Sequence, residues 1–201
     1  MTPIQNDWLP IRTPRLILRD FRADDLDAIQ AYARDPEVAR FMVWGPNPLE
    51  QTREYLDLTL ASQGEWPRFA FNLTIEHAGS AAGSIALRLA DSANRIADFG
   101  YCLRRDLWGQ GLVTEAARAL VETAFGVLGL HRLFATCDVR NGASFAVMEK
   151  LGMRREGHMR GDRFIKGEWR DTYLYAILAS EWPRPPGDSA ASRVDAASSA
   201  A

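Results

Sequence analysis

The sequence predicts an α/β domain in which helices pack on a mixed sheet. Two observations lead there. Segments of helical and of alternating periodicity follow one another in the order β-α-α-α-β-β-β-α-β-α-β-β, and such interleaving builds a layered α/β fold. The chain has 201 residues, 47% apolar and 25% charged, enough for one domain with its own core.

Residues 16–21 (LILRDF) alternate and form the first strand. Asp24 and Asp25 open an amphipathic helix carrying Leu26, Ile29 and Tyr32 at helical spacing. Pro36 starts a short second helix. A third, over 49–62, carries Tyr55, Leu56 and Leu60. Residues 69–76, 83–89 and 97–103 read as strands, the first two joined as a hairpin by HAGSAAG. A long helix over 112–128 turns Leu112, Ala116, Ala119, Leu120 and Val127 inward and Glu115, Arg118 and Glu122 outward. Residues 133–139 form a strand, and 144–151 a short helix stopped by Gly152. Segments 153–159 and 172–178 are the closing strands. Residues 1–13 are expected as a loosely docked arm and 14–182 as the domain. The Pro-, Ala- and Ser-rich 183–201 has little to bury and predicts a disordered tail.

Composition removes several function classes. The formal net charge is −2 and no Lys/Arg run stands out, which argues against a nucleic-acid partner. No apolar stretch approaches the roughly 18–20 residues of a membrane span, and the first residues lack a signal-peptide layout. Cys102 and Cys137 sit in apolar contexts and read as reduced thiols of a cytoplasmic protein. His77, His131 and His158 are scattered, so no metal site is expected.

The entrance to the long helix, Trp108-Gly109-Gln110-Gly111-Leu112, asks for an explanation, because glycine costs about 1 kcal/mol against alanine in a helix. N–H groups at a helix N-terminus attract anions. Glycine allows positive φ and close backbone approach. The stretch is therefore either a pyrophosphate cradle or a tight strand-to-helix turn. It has no Gly-Lys-Ser/Thr and no third glycine at the Rossmann spacing.

A second motif follows at 141–153, NGASFAVMEKLGM. Together the two stretches resemble the GNAT superfamily of acetyl-CoA-dependent N-acetyltransferases. The pyrophosphate motif Q/R-x-x-G-x-G/A matches at Gly109 and Gly111, with Asp106 in the Q/R position. The motif N-x-x-S/A-x-x-L/V-x-x-K-x-G-F/M matches at Asn141, Ser144, Val147, Lys150, Gly152 and Met153. TPRLILR, FGYCL, WGQGLVTEA and KGEWRDTYLYAIL are similar to the ribosomal-protein N-terminal acetyltransferase-like (RimJ/RimL-like) branch, over residues 13–182.

The resemblance implies a mixed, mostly antiparallel sheet of about seven strands with flanking helices. A V-shaped splay is expected between strands 97–103 and 133–139. It implies acetyl-CoA as cosubstrate, its pantetheine against the backbone of Tyr101, Cys102 and Leu103 and its pyrophosphate on Trp108, Gly109, Gln110, Gly111 and Leu112. Asn141 and Ser144 would hold it from the other side. Arg104 and Arg105 are either phosphate contacts or solvated loop charges.

Direct attack of an amine on a thioester needs an acceptor for the amine proton, donors for the oxyanion and an acid near the thiolate. A backbone N–H near Cys102 or Leu103 is the expected oxyanion donor. The Cys102 thiol reads as packing, since no His or Asn partner is evident. Many relatives have a Tyr after the Val147 position as acid. Met148 stands there, so Ser144 is the substitute, unless it is only a first-turn serine of a helix capped by Asn141. Asp98 aligns with a frequent base and shares a strand face with Gly100 and Cys102; the alternative is a solvated edge carboxylate. Arg163 falls where some relatives place a Glu base.

Phe41 and Trp44, in FMVWGPNP, lie in a region relatives use for the acceptor, or staple helices. The branch favours a protein or peptide N-terminal amine, ahead of a small amine such as an amino acid, polyamine or antibiotic. A non-catalytic acyl-CoA sensor is the remaining alternative. The expected assembly is a monomer or homodimer.

Overall fold

The computed structural model describes residues 7–183. Expectations for the first six residues and for the tail beyond 183 lie outside it. The strands are β1 (Ile11–Arg12), β2 (Leu16–Asp20), β3 (Ala70–His77), β4 (Ser80–Asp91), β5 (Ile96–Leu103), β6 (Arg132–Asp138), β7 (Arg154–Ile165) and β8 (Glu168–Leu178). The helices are α1 (Leu26–Ala33), α2 (Pro36–Ala39), α3 (Leu49–Gln63), α4 (Leu112–Gly126) and α5 (Gly142–Lys150). One open sheet runs β1-β2-β3-β4-β5-β6-β8-β7. Every pair is antiparallel except β5–β6.

The two sheet faces bury two clusters. On one, Leu18, Phe71, Leu73, Leu87 and Phe99 pack with Leu112, Ala116 and Leu120 of α4. On the other, Phe21 and Cys102 pack with Ile29, Tyr32, Val38 and Leu56 of α1–α3. Asp25 anchors the entrance to α1, accepting from both Nη atoms of Arg19 at 2.8 Å and from the Arg22 N–H at 2.8 Å.

Among the described residues the strands number eight because Ile11–Arg12, inside the segment expected as a loose arm, pairs with β2. Trp8, Leu9 and Ile11 pack against the core, and the Trp8 ring meets Phe71 edge-on at 5.1 Å. The closing strands are also longer than expected. β7 is an edge strand whose residues are mostly exposed. It is broken by irregularities at Arg155/Gly157 and Met159/Arg163. Irregularities and a solvated edge hide the period-two pattern that would announce such a strand.

The feature that positions the site is a divergence at mid-sheet. β5 and β6 pair only at Ile96↔Arg132, Ala97↔Leu133 and Asp98↔Phe134. Beyond that, β5 stays with β4 to Leu103 and β6 stays with β8 to Asp138. Backbone groups on the facing edges of the V have no strand partner there.

Candidate active site

Two helix N-termini border the splay. At the first, Gly109 (φ +75°) and Gly111 (φ +74°) are left-handed, and Gly111 is the N-cap of α4 without any side-chain cap. A side chain there would cost about 1–2 kcal/mol in backbone strain. A Cβ at Gly109 would meet nothing within 4 Å, so the loop surface is open to a ligand. An uncapped first turn with an exposed glycine loop suits a pyrophosphate. Trp108 donates its indole N–H to the Leu103 carbonyl at 2.8 Å, tying the loop to the end of β5. Leu112 is buried in the core and anchors the helix, while its backbone N–H belongs to the open turn.

The loop has a brace that sequence reasoning missed. Arg15 donates from Nη1 to the Gln110 carbonyl at 2.9 Å. Its Nε donates to Glu115 at 2.6 Å, as do its backbone N–H at 3.0 Å and the Thr13 hydroxyl at 2.6 Å. Burial pushes the Glu115 carboxyl up, and these hydrogen bonds outweigh it, holding the carboxyl below its ordinary value. Glu115 is structural, as its place on α4 suggested, and its partners Thr13 and Arg15 both belong to the TPRL string.

At the second N-terminus, Asn141 caps α5, its Oδ1 accepting from the Ser144 N–H at 3.2 Å. That cap leaves the NH₂ half of the amide unused. Ser144 lies at the splay, where Tyr101 donates to its carbonyl at 2.9 Å and lies 3.3 Å from its Oγ. Burial pushes the Tyr101 phenol up despite the bond to Ser144, so it stays protonated as a donor. Across the V, burial pushes the Cys137 thiol up to about 11, with Ser144 partly opposing this. Met148 is fully buried, so the slot after Val147 faces the core and the phenol at the splay comes from Tyr101.

A cavity of about 370 Å³ opens beside the V. Gly100, Tyr101 and Cys102 of β5 and Thr136, Cys137 and Asp138 of β6 form its floor, and Phe41 and Trp44 stand in its wall. Cys102 is buried with Ser84 Oγ 3.2 Å from its sulfur, and desolvation raises its pKa, as suits a packing thiol. Asp98 does not line the cavity. It faces Arg88 across β4–β5 and accepts from Nε at 3.0 Å and from Nη2, the cross-strand pairing that opposite charges favour. Arg104 pairs with Asp106, and Arg105 with Asp35, so both loop arginines have protein partners. Among the described residues no His, Cys, Asp and Glu group is placed to hold a metal. No helix there is long and apolar enough to cross a membrane.

A splayed parallel pair on an otherwise antiparallel sheet, bordered by the uncapped N-terminus of α4 and the Asn141-capped N-terminus of α5, is the arrangement expected for acyl-CoA-dependent acyl transfer. A family model described as an acetyltransferase (GNAT) domain matches residues 15–154. An uncharacterized N-acetyltransferase, p20, of Bacillus licheniformis is 30% identical over 173 residues, 85% of this chain and 96% of that protein. The spermidine N(1)-acetyltransferase of Escherichia coli K12 is 28% identical over 168 residues, 82% of this chain and 87% of that one. Mycobacterium smegmatis RimJ, solved in complex with CoA-disulfide, superimposes with a TM-score of 0.77 at 26% identity, over 87% of this chain and 88% of that one. The chain belongs to the GNAT family of N-acetyltransferases, with RimJ/RimL-like relatives.

Proposed function

We propose that the chain moves an acetyl group from acetyl-CoA to the N-terminal amine of a protein or peptide by direct attack. The observation that carries this reading is the shared use of β5. Its Gly100–Cys102 stretch borders the splay on its edge and floors the cavity on its face, so thioester and amine can meet at one strand. Acetyl-CoA supplies the activated acetyl group. The glycine loop and the α4 N-terminus bind its pyrophosphate, and the free edge of β5 aligns its pantetheine. A backbone N–H near Cys102 or Leu103 faces the developing oxyanion. Ser144, with Tyr101 behind it, donates to the departing sulfur. Water takes the amine proton, because Asp98, the carboxylate expected as base, lies outside the cavity and is held by Arg88. An α-amine, with a pKa near 8, is partly neutral at physiological pH and asks less of a base than lysine does.

The cavity volume sits at the low end of small-molecule sites, about 300–1,000 Å³, as suits one terminal residue with the rest of the chain outside. The test is amine-dependent thiol release from acetyl-CoA with a panel of peptides and small amines. Faster release with peptides is expected. Tight acetyl-CoA binding without amine-dependent release would make the chain a sensor.

A further inference from the structure

The acceptor cavity has a charge pattern that the acetyl-transfer chemistry does not use. Its lining contains three arginines, Arg88, Arg163 and Arg170, and one carboxylate, Asp138. Asp138 is saturated. It accepts from Arg140 Nε at 2.9 Å and Nη2 at 2.7 Å and from the Arg140 N–H at 2.9 Å, and it lies 3.6 Å from Arg170. These contacts outweigh the upward push of burial and hold its carboxyl below the ordinary range.

The three arginines are compensated unequally. Arg88 is engaged by Asp98. Arg170, only 8% exposed, donates from Nη1 to the Arg40 carbonyl at 3.0 Å. Its Nε forms an ion pair with Glu168 at 2.9 Å, without a well-aligned hydrogen bond. Lys166, at the β7–β8 turn, spends its ammonium on the Ala39 carbonyl. Burial, and then the charge of Arg170, lower its pKa. Arg163 stands opposite Arg170 in the β7–β8 register. Like charges placed so are destabilising. Its partner is Asp162, 3.4 Å away, a long contact, and its side chain remains 52% exposed. A local cost of this kind, kept at the wall of a reaction cavity, is expected where function requires it.

We propose that the acceptor carries a carboxylate close to its reactive amine and that Arg163 binds it, with Arg170 as the buried positive charge behind. This rests on the acetyl-transfer reading and names its substrate class. A guanidinium offers a fork of donors matched to a carboxylate. An anion there relieves the Arg163–Arg170 repulsion, and a polyamine adds to it. The carboxylate belongs either to an acidic residue next to a peptide N-terminus or to the α-carboxyl of a free amino acid.

Thiol release with acetyl-CoA separates these sources. The probes are matched peptides beginning Ser-Asp, Ser-Asn and Ser-Lys, free serine and its amide, and spermidine. A kcat/KM at least about tenfold higher for Ser-Asp than for Ser-Asn is the expected result. Serine favoured tenfold over its amide, and over all the peptides, supports the carboxylate with the small molecule as its source and overturns the peptide acceptor. In Arg163→Gln the Asp/Asn ratio should fall to within about threefold, and in Arg163→Glu the preference should move to Ser-Lys. A lost preference with unchanged folding is a readout that a purely structural Arg163 would not give. Equal rates for acidic and neutral acceptors, or preference for spermidine, overturn the proposal and leave acetyl transfer standing. If nothing is acetylated, calorimetry of the CoA-loaded protein with the Ser-Asp and Ser-Asn peptides decides. Tighter binding of Ser-Asp, lost in Arg163→Gln, sustains the carboxylate site without the acetyl-transfer reading; equal binding ends both.

Discussion

Gly83 of β4 sets the shape of β5, and replacing it with alanine tests how the splay is built. A Cβ at position 83 would lie 2.3 Å from the Cys102 carbonyl oxygen, 2.9 Å from Leu103 Cα and 3.1 Å from the Cys102 carbonyl carbon. All three are backbone atoms, so no side chain can rotate away. Ordinary Cβ contact begins at 3.4 Å, so the oxygen must retreat by about 1 Å, and the cost as overpacking is roughly 1–3 kcal/mol. Losing one β4–β5 ladder hydrogen bond adds roughly 0.5–1.5 kcal/mol. A total of about 2–4 kcal/mol lowers the melting temperature of a domain of this size by about 5–15 °C. The displaced segment is also the one proposed to align pantetheine, so CoA affinity should fall about tenfold, which is about 1.4 kcal/mol. Thermal unfolding and calorimetric CoA titration measure both effects. Gly126→Ala is the control: a Cβ there meets nothing within 4 Å, and helix propensity makes the change neutral or stabilising by up to about 1 kcal/mol. A Gly83→Ala protein that melts within 2 °C of the parent and binds CoA within twofold would refute the reasoning.

Three further outcomes follow from the site. Glu115→Gln removes the charge that holds Arg15 and should destabilise by about 1–3 kcal/mol while weakening CoA binding through the loosened Gln110 carbonyl. Because the folded carboxyl lies below its ordinary 4.5, its stabilisation is full above that value and is lost as pH falls through the folded value; a gap between the two proteins equally wide at pH 7 and pH 3 would contradict this. Ser144→Ala should lower kcat by about tenfold, the scale of one hydrogen bond to a charged sulfur, with acetyl-CoA affinity nearly unchanged; an unaltered kcat removes that hydroxyl from the reaction. Asp98→Asn should cost less than about tenfold in kcat/KM, because Arg88 already occupies the carboxylate and the amine's own pKa sets the pH limb; a loss of about 10² or more with a changed limb would make Asp98 a direct base.

What the sequence revealed of this site depends on which chemistry is carried by the backbone. Gly109 and Gly111 were legible as a left-handed turn because glycine adopts positive φ without strain. Asn141 and Ser144 were legible because a cap needs fixed spacing. Groups assembled by register were not. Arg163 and Arg170 are seven residues apart, and only the β7–β8 pairing, past an irregularity, sets one opposite the other. Arg15 and Glu115 meet because β2 and α4 share a sheet face. Tyr101 was read through its backbone, and its hydroxyl found Ser144 only once the strands had splayed.

The same distinction bears on how the acceptor is chosen. The proposed cofactor side is built from backbone N–H groups and glycines, which suit a phosphate regardless of the neighbouring side chains. The acceptor side is built from the Phe41–Trp44 loop and the β7–β8 hairpin, joined where Lys166 and Arg170 donate to the Ala39 and Arg40 carbonyls at the end of α2. Those two cations are spent on closing the cavity, and Arg163 is left to face into it. Such a wall can change its acceptor by replacing one hairpin side chain, without disturbing the splay or the glycine loop. A carboxylate in place of Arg163 would face Arg170 as a partner and remove the repulsion that an anionic acceptor now relieves. The charge at position 163 therefore links the stability of the hairpin to the sign of the acceptor, and measuring the two together in Arg163→Glu separates a residue that selects substrate from one that merely decorates an edge strand.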